Sequence, residues 1–384
     1  MSEDKTLVMM NPFVITDRYA GPEYFCDRAA ETAELMSNVR NGRNTAMISL
    51  RRMGKSGLVS HFFSQEEIRN GYETFFIDIY DTVNMNDFVY LLGKEIACRL
   101  QPKGDRLYDR FLSVVRSMKL SFSTDRLTGL PSLDVSMDGV SDPVLTLEQV
   151  FAFLEASERP CIVAIDEFQQ IADYPEGKKN IATLRKLVQS CRRTRFIFAG
   201  SNRGMMSALF TSPAEPFFMS CSPLNLGPID RRKYVEFVND HFNKAGKHIT
   251  DACAEYVYDL FDGHTWFIQH VFNRLYDMSG RDDPACVESA LEAVKYILDI
   301  FSSSFQEIFV RMSERQRALL IAIAKCGKVQ APTSFEFISR FNLRSASAVQ
   351  GALRPLLEDE TVTYMDDAYF IPNRFFSLWL ARRY

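Results

Sequence analysis

The stretch Thr45-Ala-Met-Ile-Ser-Leu-Arg-Arg-Met-Gly-Lys-Ser-Gly-Leu-Val-Ser-His-Phe-Phe63 decides the fold. Thr45 to Ser49 is a short apolar run of strand type. Leu50 to Ser56 is a loop rich in Arg and Gly, and Gly57 to Phe63 has a helical pattern. A phosphate chain is cradled by inward-pointing backbone N–H groups, a glycine that lets the backbone approach, a cation, and a hydroxyl able to hold Mg2+. Gly54, Lys55 and Ser56 supply the last three. Ser49 stands where the first glycine of such a loop is expected, so the pattern is incomplete. The candidate contacts are Ser49, Arg51, Arg52, Met53, Gly54, Lys55, Ser56 and Gly57. Arg51 and Arg52 read equally well as solvated loop arginines.

Further along, Cys161-Ile-Val-Ala-Ile-Asp-Glu167 is an apolar strand ending in two acids. Asp166 can hold Mg2+ through water, with Ser56 as its second anchor, and Glu167 can polarise an attacking water. Either motif alone also suits a strand with a solvated turn. Both occur here in the expected order, 111 residues apart from Lys55 to Asp166. Phe196-Ile-Phe-Ala-Gly-Ser-Asn-Arg203 is a further strand whose end offers Ser201 or Asn202 as a sensor of the terminal phosphate. Arg192, Arg193 and Arg203 are candidates for a charge-stabilising finger, against an ordinary reading as surface arginines.

Strands at 45–49, 74–79, 161–165 and 195–199 alternate with helical patterns at 27–39, 86–100, 147–157 and 179–190. These strands are apolar throughout instead of at every second residue, which predicts a parallel α/β sheet covered on both faces. Residues 117–138 break the rhythm. Leu120 and Phe122, then Leu133, Val135 and Met137, alternate at period two around a turn-rich Asp125–Pro131, the pattern of an inserted β-hairpin. Beyond about 227 strand signals fade into helical patterns over 230–310. Residues 313–372 then read helix, helix, helix, hairpin, the order of a winged helix-turn-helix, opened by a capping box at Ser313 and Gln316. The expected domains are 1–227, 228–310 and 311–384.

Composition constrains the rest. The 384 residues are 46% hydrophobic and 24% charged, ordinary for a globular chain. A net charge of −4, with no long run of like charges, gives no reason to expect a dedicated nucleic-acid binder and leaves a local basic patch open. Apolar runs such as Ala318 to Ala324 fall far short of the ~20 residues that span a bilayer. The first residues read as no signal peptide, so a cytoplasmic location is expected. The eight cysteines have no metal or redox spacing and read as small buried hydrophobes.

Together these motifs resemble the archaeal-type ATPase family, a branch of the P-loop ATPases allied to the AAA+ and STAND groups. The resemblance takes in Asn11 to Phe13, Phe25-Cys-Asp-Arg28, the Arg-Arg-x-Gly-Lys loop and the Ile165 to Gln169 acidic strand. It also covers Gly200 and Ser201, Gly263 to Phe267, and the closing Phe375 and Trp379. It implies an AAA+-like P-loop fold with a helical lid and a winged helix. Its cofactors would be ATP and Mg2+, and its activity slow hydrolysis used as a conformational switch. The catalytic set would be Lys55, Glu167, Ser201 and Asn202, with Ser56 and Asp166 on the metal. Three positions depart from the family pattern: Ser49, Asp27 (where a glycine near the base pocket is usual) and Thr265 (where a lid proline is usual). His264 reads as structural more readily than as a phosphate contact.

The third helix of the winged helix, Ser345 to Glu360, carries Arg354 but also Glu358, Asp359 and Glu360, and the wing tip is Asp366-Asp367. Phosphate contacts dominate DNA affinity, so a protein contact or an intramolecular role is favoured over DNA. The alternative reading is a nucleotide-responsive DNA-binding or protein-interaction regulator with little or no hydrolysis. Oligomeric state stays open.

Overall fold

A computed structural model describes residues 11–16, 19–100, 111, 118–124, 131–140 and 142–384; for the two hairpin strands only the backbone is described. The chain divides after Thr16 and after Gly227 into two compact units. The middle stretch forms one. Asn11–Thr16 joins Pro228–Tyr384 in the other.

The first unit contains α1 (Ala29–Arg40), β1 (Thr45–Ser49), α2 (Lys55–Ser64), α3 (Glu66–Gly71), β2 (Glu73–Asp78) and α4 (Met85–Leu100). There follow β3 (Met118–Thr124), β4 (Pro131–Val140), α5 (Pro143–Glu155), β5 (Cys161–Asp166), α6 (Gly177–Ser190), β6 (Arg195–Gly200), α7 (Arg203–Thr211) and β7 (Ser222–Leu226). Five strands form one parallel sheet in the order β2-β5-β6-β1-β7. Successive side chains of a strand point to opposite faces. Cys161, Val163 and Ile165 of β5 accordingly join Phe75, Ile77, Phe196 and Phe198 in one core layer. Ile162 and Ala164 join Met47, Leu58, Phe62, Ile197 and Leu224 in the other. Both faces are dry along β1, β5 and β6, which is why these inner strands are apolar almost throughout.

Two expectations shift. The sequence reading missed β7, and it began the helix after the phosphate loop at Gly57, two residues late. The hairpin forms as β3 antiparallel to β4, with Leu120 opposite Val135 and Phe122 opposite Leu133. The expected turn at 125–130 lies outside the described residues.

In the second unit, α8 (Arg231–Lys244), α9 (Asp251–Leu260), α10 (Thr265–Met278) and α11 (Val287–Arg311) are followed by α12 (Glu314–Cys326), α13 (Phe335–Arg340) and α14 (Ala346–Glu358). β8 (Thr363–Met365), β9 (Ala368–Phe370) and α15 (Arg374–Arg383) complete it. Phe13, fully buried, is ringed by Phe237, His241, Phe242, Phe272 and Tyr276. Beside it, Asn11 Nδ2 donates to the Asn273 carbonyl and Asn273 Nδ2 donates to the Phe13 carbonyl. The winged helix has the expected order, with the Ser313–Gln316 capping box formed and β8 antiparallel to β9.

None of the eight cysteines is in a disulfide. Cys161 is buried in β5, and burial pushes its thiol up to about 11. No helix among the described residues is long and apolar enough to cross a membrane.

Candidate functional site

The site forms at the C-terminal edge of the parallel sheet, where β1, β5 and β6 end. Strand β1 delivers Ser49, which is 1% exposed and whose Oγ donates to the Leu50 carbonyl at 2.9 Å. The chain then turns through Arg52 (φ 67°) and Gly54 (φ 88°). At φ 88° a side chain at position 54 would be strained, so glycine is required there. Gly54 also caps α2 without a side chain to offer. The leading N–H groups of a helix have no intrahelical partner, so the first turn of α2 presents donors at the loop. Lys55 and Ser56 lie on that turn. Lys55 is buried, while Arg51, Arg52 and Ser56 are exposed. Arg51 rests over the Tyr80 ring, 5.1 Å from its centroid. Met53 is buried among Leu58 and its neighbours, and a Cβ on Gly57 would sit 3.6 Å from Phe25.

Strand β5 ends at Asp166, in register with Asp78 of β2. Ser56 Oγ donates to Asp166 Oδ2 at 2.6 Å, and Asp166 Oδ1 accepts the Glu167 N–H at 3.0 Å. Glu167 then takes a left-handed φ of 55°. What holds that turn is the next side chain: Phe168 is fully buried against Phe198, Phe210 and Phe217. With Phe168 plugged into the core, Glu167 is aimed outward over the sheet edge.

Three groups reach Glu167. Gln169 Nε2 donates to its Oε2 at 2.5 Å, as do the Ser201 hydroxyl at 2.7 Å and the Ser201 N–H at 3.3 Å. Burial alone would raise the Glu167 pKa. The charge of Lys55 and the bonds from Gln169 and Ser201 outweigh it and hold the carboxyl below its usual range. Asp78 goes the other way. Burial pushes its carboxyl up, the Tyr80 N–H counters in part, and the charges of Asp166, Glu167 and Asp81 push it further up.

The fold therefore brings Ser49, Met53, Gly54, Lys55, Ser56, Gly57, Asp166, Glu167 and Ser201 to one edge. Asn202 stands beside them, but its Oδ1 accepts the Met205 N–H at 3.0 Å as the cap of α7. Of the two sensor candidates, Ser201 bonds Glu167 through both its hydroxyl and its N–H. Arg203 opens α7 at this edge and is exposed. Arg192 and Arg193 precede β6 at the opposite end of the strand, where their backbone N–H groups donate to the Glu155 carboxylate. That position removes them as fingers for this chain's own site. His264 Nδ1 donates to the Phe261 carbonyl, 2.8 Å away. Burial lowers its pKa, as a neutral structural histidine requires.

Gln169, Asp78 and Arg28 escaped the sequence reading as site residues. Arg28 is 3% exposed and donates to the Met53 carbonyl. Gln169 comes close because position 200 is glycine: a Cβ there would lie 2.3 Å from Gln169 Oε1.

Among the described residues no group of three or more His, Cys, Asp or Glu could cage a metal ion. The facing Ser56 hydroxyl and Asp166 carboxylate do fit Mg2+, which takes oxygen ligands from one or two protein groups and completes its shell with phosphates and water.

The family profile described as an ATPase domain predominantly from Archaea matches residues 25–271. The profile described as a probable winged helix domain matches residues 303–382. Comparison with curated proteins found no match. Among solved structures the chain resembles a Walker-type ATPase of Pyrococcus abyssi, with 18% identity and a TM-score of 0.65 over 96% of this chain and 99% of that one. It also resembles the Aeropyrum pernix ORC2 protein, described in ADPNP–ADP complexes, with 13% identity and a TM-score of 0.61 over 96% and 95%. The Aeropyrum pernix ORC1 protein, described in complex with DNA, follows at 12% identity and a TM-score of 0.50 over 96% and 94%. At these identities the likeness is one of fold.

Proposed function

Because the chain belongs to the family of ATPase domains found predominantly in Archaea, we propose that it binds ATP with Mg2+ and hydrolyses it slowly, as a conformational switch. The observation that carries this reading is the 2.6 Å contact between Ser56 of the phosphate loop and Asp166 of the acidic strand. It joins the two halves of the pattern at one point.

In this reading the α2 amides, Gly54 and Lys55 hold the β- and γ-phosphates, with Ser49, Arg51, Arg52, Met53 and Gly57 around them. Mg2+ on Ser56 and Asp166 would neutralise charge on the transferred phosphoryl group. Glu167 is ionised and takes the proton of the attacking water, and Ser201, with Asn202 behind it, faces the terminal phosphate. The geometry supports the reading of slow turnover. The Glu167 carboxylate is engaged by Gln169 and Ser201, so it gives up at least one of these bonds to approach a water. Residues 1–227 would form the ATPase domain, 228–310 a lid and 311–384 the winged helix.

For the winged helix we favour a protein partner. Arg354 is tied to Glu358 at 2.9 Å, and Asp366 and Asp367 stand at the wing tip with left-handed backbones. Such a surface offers little to DNA phosphates. A cytoplasmic location belongs to the same proposal.

Calorimetric titration with Mg–ATP and a phosphate-release assay test the reading. Wild type is expected to bind and turn over, and Lys55→Ala to lose binding. Equal affinity in the variant overturns the assignment.

A further inference from the structure

Arg28 is not among the residues assigned above to the phosphates and the metal, yet it is 3% exposed, an uncommon place for a guanidinium. Its Nη1 is fixed by Glu31 at 2.7 Å. Its Nη2 carries two hydrogens and uses them on two carbonyls, Met53 at 3.2 Å and Gly227 at 2.7 Å. Met53 directly precedes Gly54 in the phosphate loop. Gly227 is the last residue of the first unit, and Pro228 opens the second. One nitrogen thus joins the loop that would receive the phosphates to the point where the chain leaves the domain.

The backbone supports the same conclusion. Asp27 and Arg28 both adopt left-handed conformations, φ 51° and 66°, without being glycine. Such strain persists only where the surroundings over-determine it, and it gathers at functional positions. Here it seats the guanidinium between the two carbonyls. On the other side, Pro228 restricts the backbone of Gly227, so the accepting carbonyl sits on a stiff segment and a displacement of it is passed along the chain.

We infer that Arg28 is a positioning residue that couples occupancy of the phosphate loop to the exit segment at Gly227. The inference rests on the nucleotide reading above. Filling the loop fixes the Met53 carbonyl, the shared nitrogen follows, and the Gly227 carbonyl follows the nitrogen. A lysine cannot reproduce this, because its single ammonium lacks the planar fork that serves Glu31 and two carbonyls together.

The test is hydrogen exchange on the full chain, with and without Mg–ADPNP, read on peptides spanning 224–229, alongside calorimetric affinity for the same nucleotide. In wild type, exchange at Gly227 is expected to change at least about fivefold on binding, as a local opening equilibrium responds to a new constraint. Arg28→Lys is expected to bind nucleotide more weakly and to lose that response. Glu31→Gln, which leaves Arg28 in place, is expected to keep part of it and serves if the Arg28 variants do not fold. Binding without any response at Gly227 in wild type overturns the coupling alone, and so does a full response in Arg28→Lys. A wild-type chain that binds no nucleotide overturns the nucleotide reading and the coupling with it.

Discussion

Ser56 Oγ lies 2.6 Å from Asp166 Oδ2, joining the first turn of α2 to the last residue of β5. The two residues are 110 positions apart in the chain. Neither needs the other for its own element to form, so the pairing reflects the sheet order that sets β5 near β1. If this pair holds Mg2+, Asp166→Asn should weaken Mg–ATP binding by roughly 10- to 100-fold, the worth of a charge-assisted contact. Binding of ATP without magnesium should change little. Equal losses with and without the ion would place Asp166 outside the metal's shell.

Glu167→Gln should separate binding from chemistry. A glutamine at 167 can still accept from Ser201 and Gln169, so the turn over Phe168 stays intact. It cannot take a proton from water. The expected result is retained ATP affinity with a turnover lower by about 10²- to 10⁴-fold, the usual contribution of a general base. Turnover at the wild-type rate would assign the base elsewhere.

Gln169→Ala should move the acid limb of the kcat profile toward higher pH. Glu167 faces Lys55, Ser201, Gln169 and the neighbouring carboxylates Asp166 and Asp78. Its folded pKa is lowered, so its stabilising contribution is present above the unfolded value and is lost as pH falls through the folded one. Removing the Gln169 bond raises the folded pKa, and both activity and that contribution then fail at a higher pH. Stopped-time phosphate release across a pH series reads the shift directly. An unmoved limb would mean that Gln169 does not act on the base.

The phosphate loop and the acidic strand were legible because their signals are local. Gly54 answers a left-handed backbone, and the strands answer two dry faces. Ser49 reads as a departure in sequence, yet position 49 has no positive φ and its buried hydroxyl bonds the Leu50 carbonyl, so nothing there demands glycine. Asp27 is the reverse case. Its φ of 51° shows that a glycine would relieve real strain, which aspartate tolerates better than most residues. Strand β7 was missed because it is an edge strand paired only to β1, half exposed, with Pro223 inside it, features that read as a break. Arg28 stands in the sequence only as the end of the Phe25–Arg28 element, and its role there has another reason to escape: beyond Glu31, its partners are 25 and 199 residues away. Such a bond has no pattern along the chain.

Thr265 closes the set of departures, and the structure gives it a thermodynamic reading. It is the first residue of α10, a position where proline's fixed φ suits the helix and its missing N–H costs nothing. His264 before it is extended, at φ −69° and ψ 103°, a conformation compatible with a following proline. The Thr265 hydroxyl is buried with no hydrogen-bond partner among the described residues, so its loss removes an unsatisfied group. Thr265→Pro should therefore stabilise the fold by about 0.4–1 kcal/mol through the unfolded chain, raising the midpoint of thermal unfolding by roughly 1–4 °C. Calorimetry on the two full-length chains decides it. A lowered midpoint would mean that the threonine N–H makes a bond that proline cannot replace.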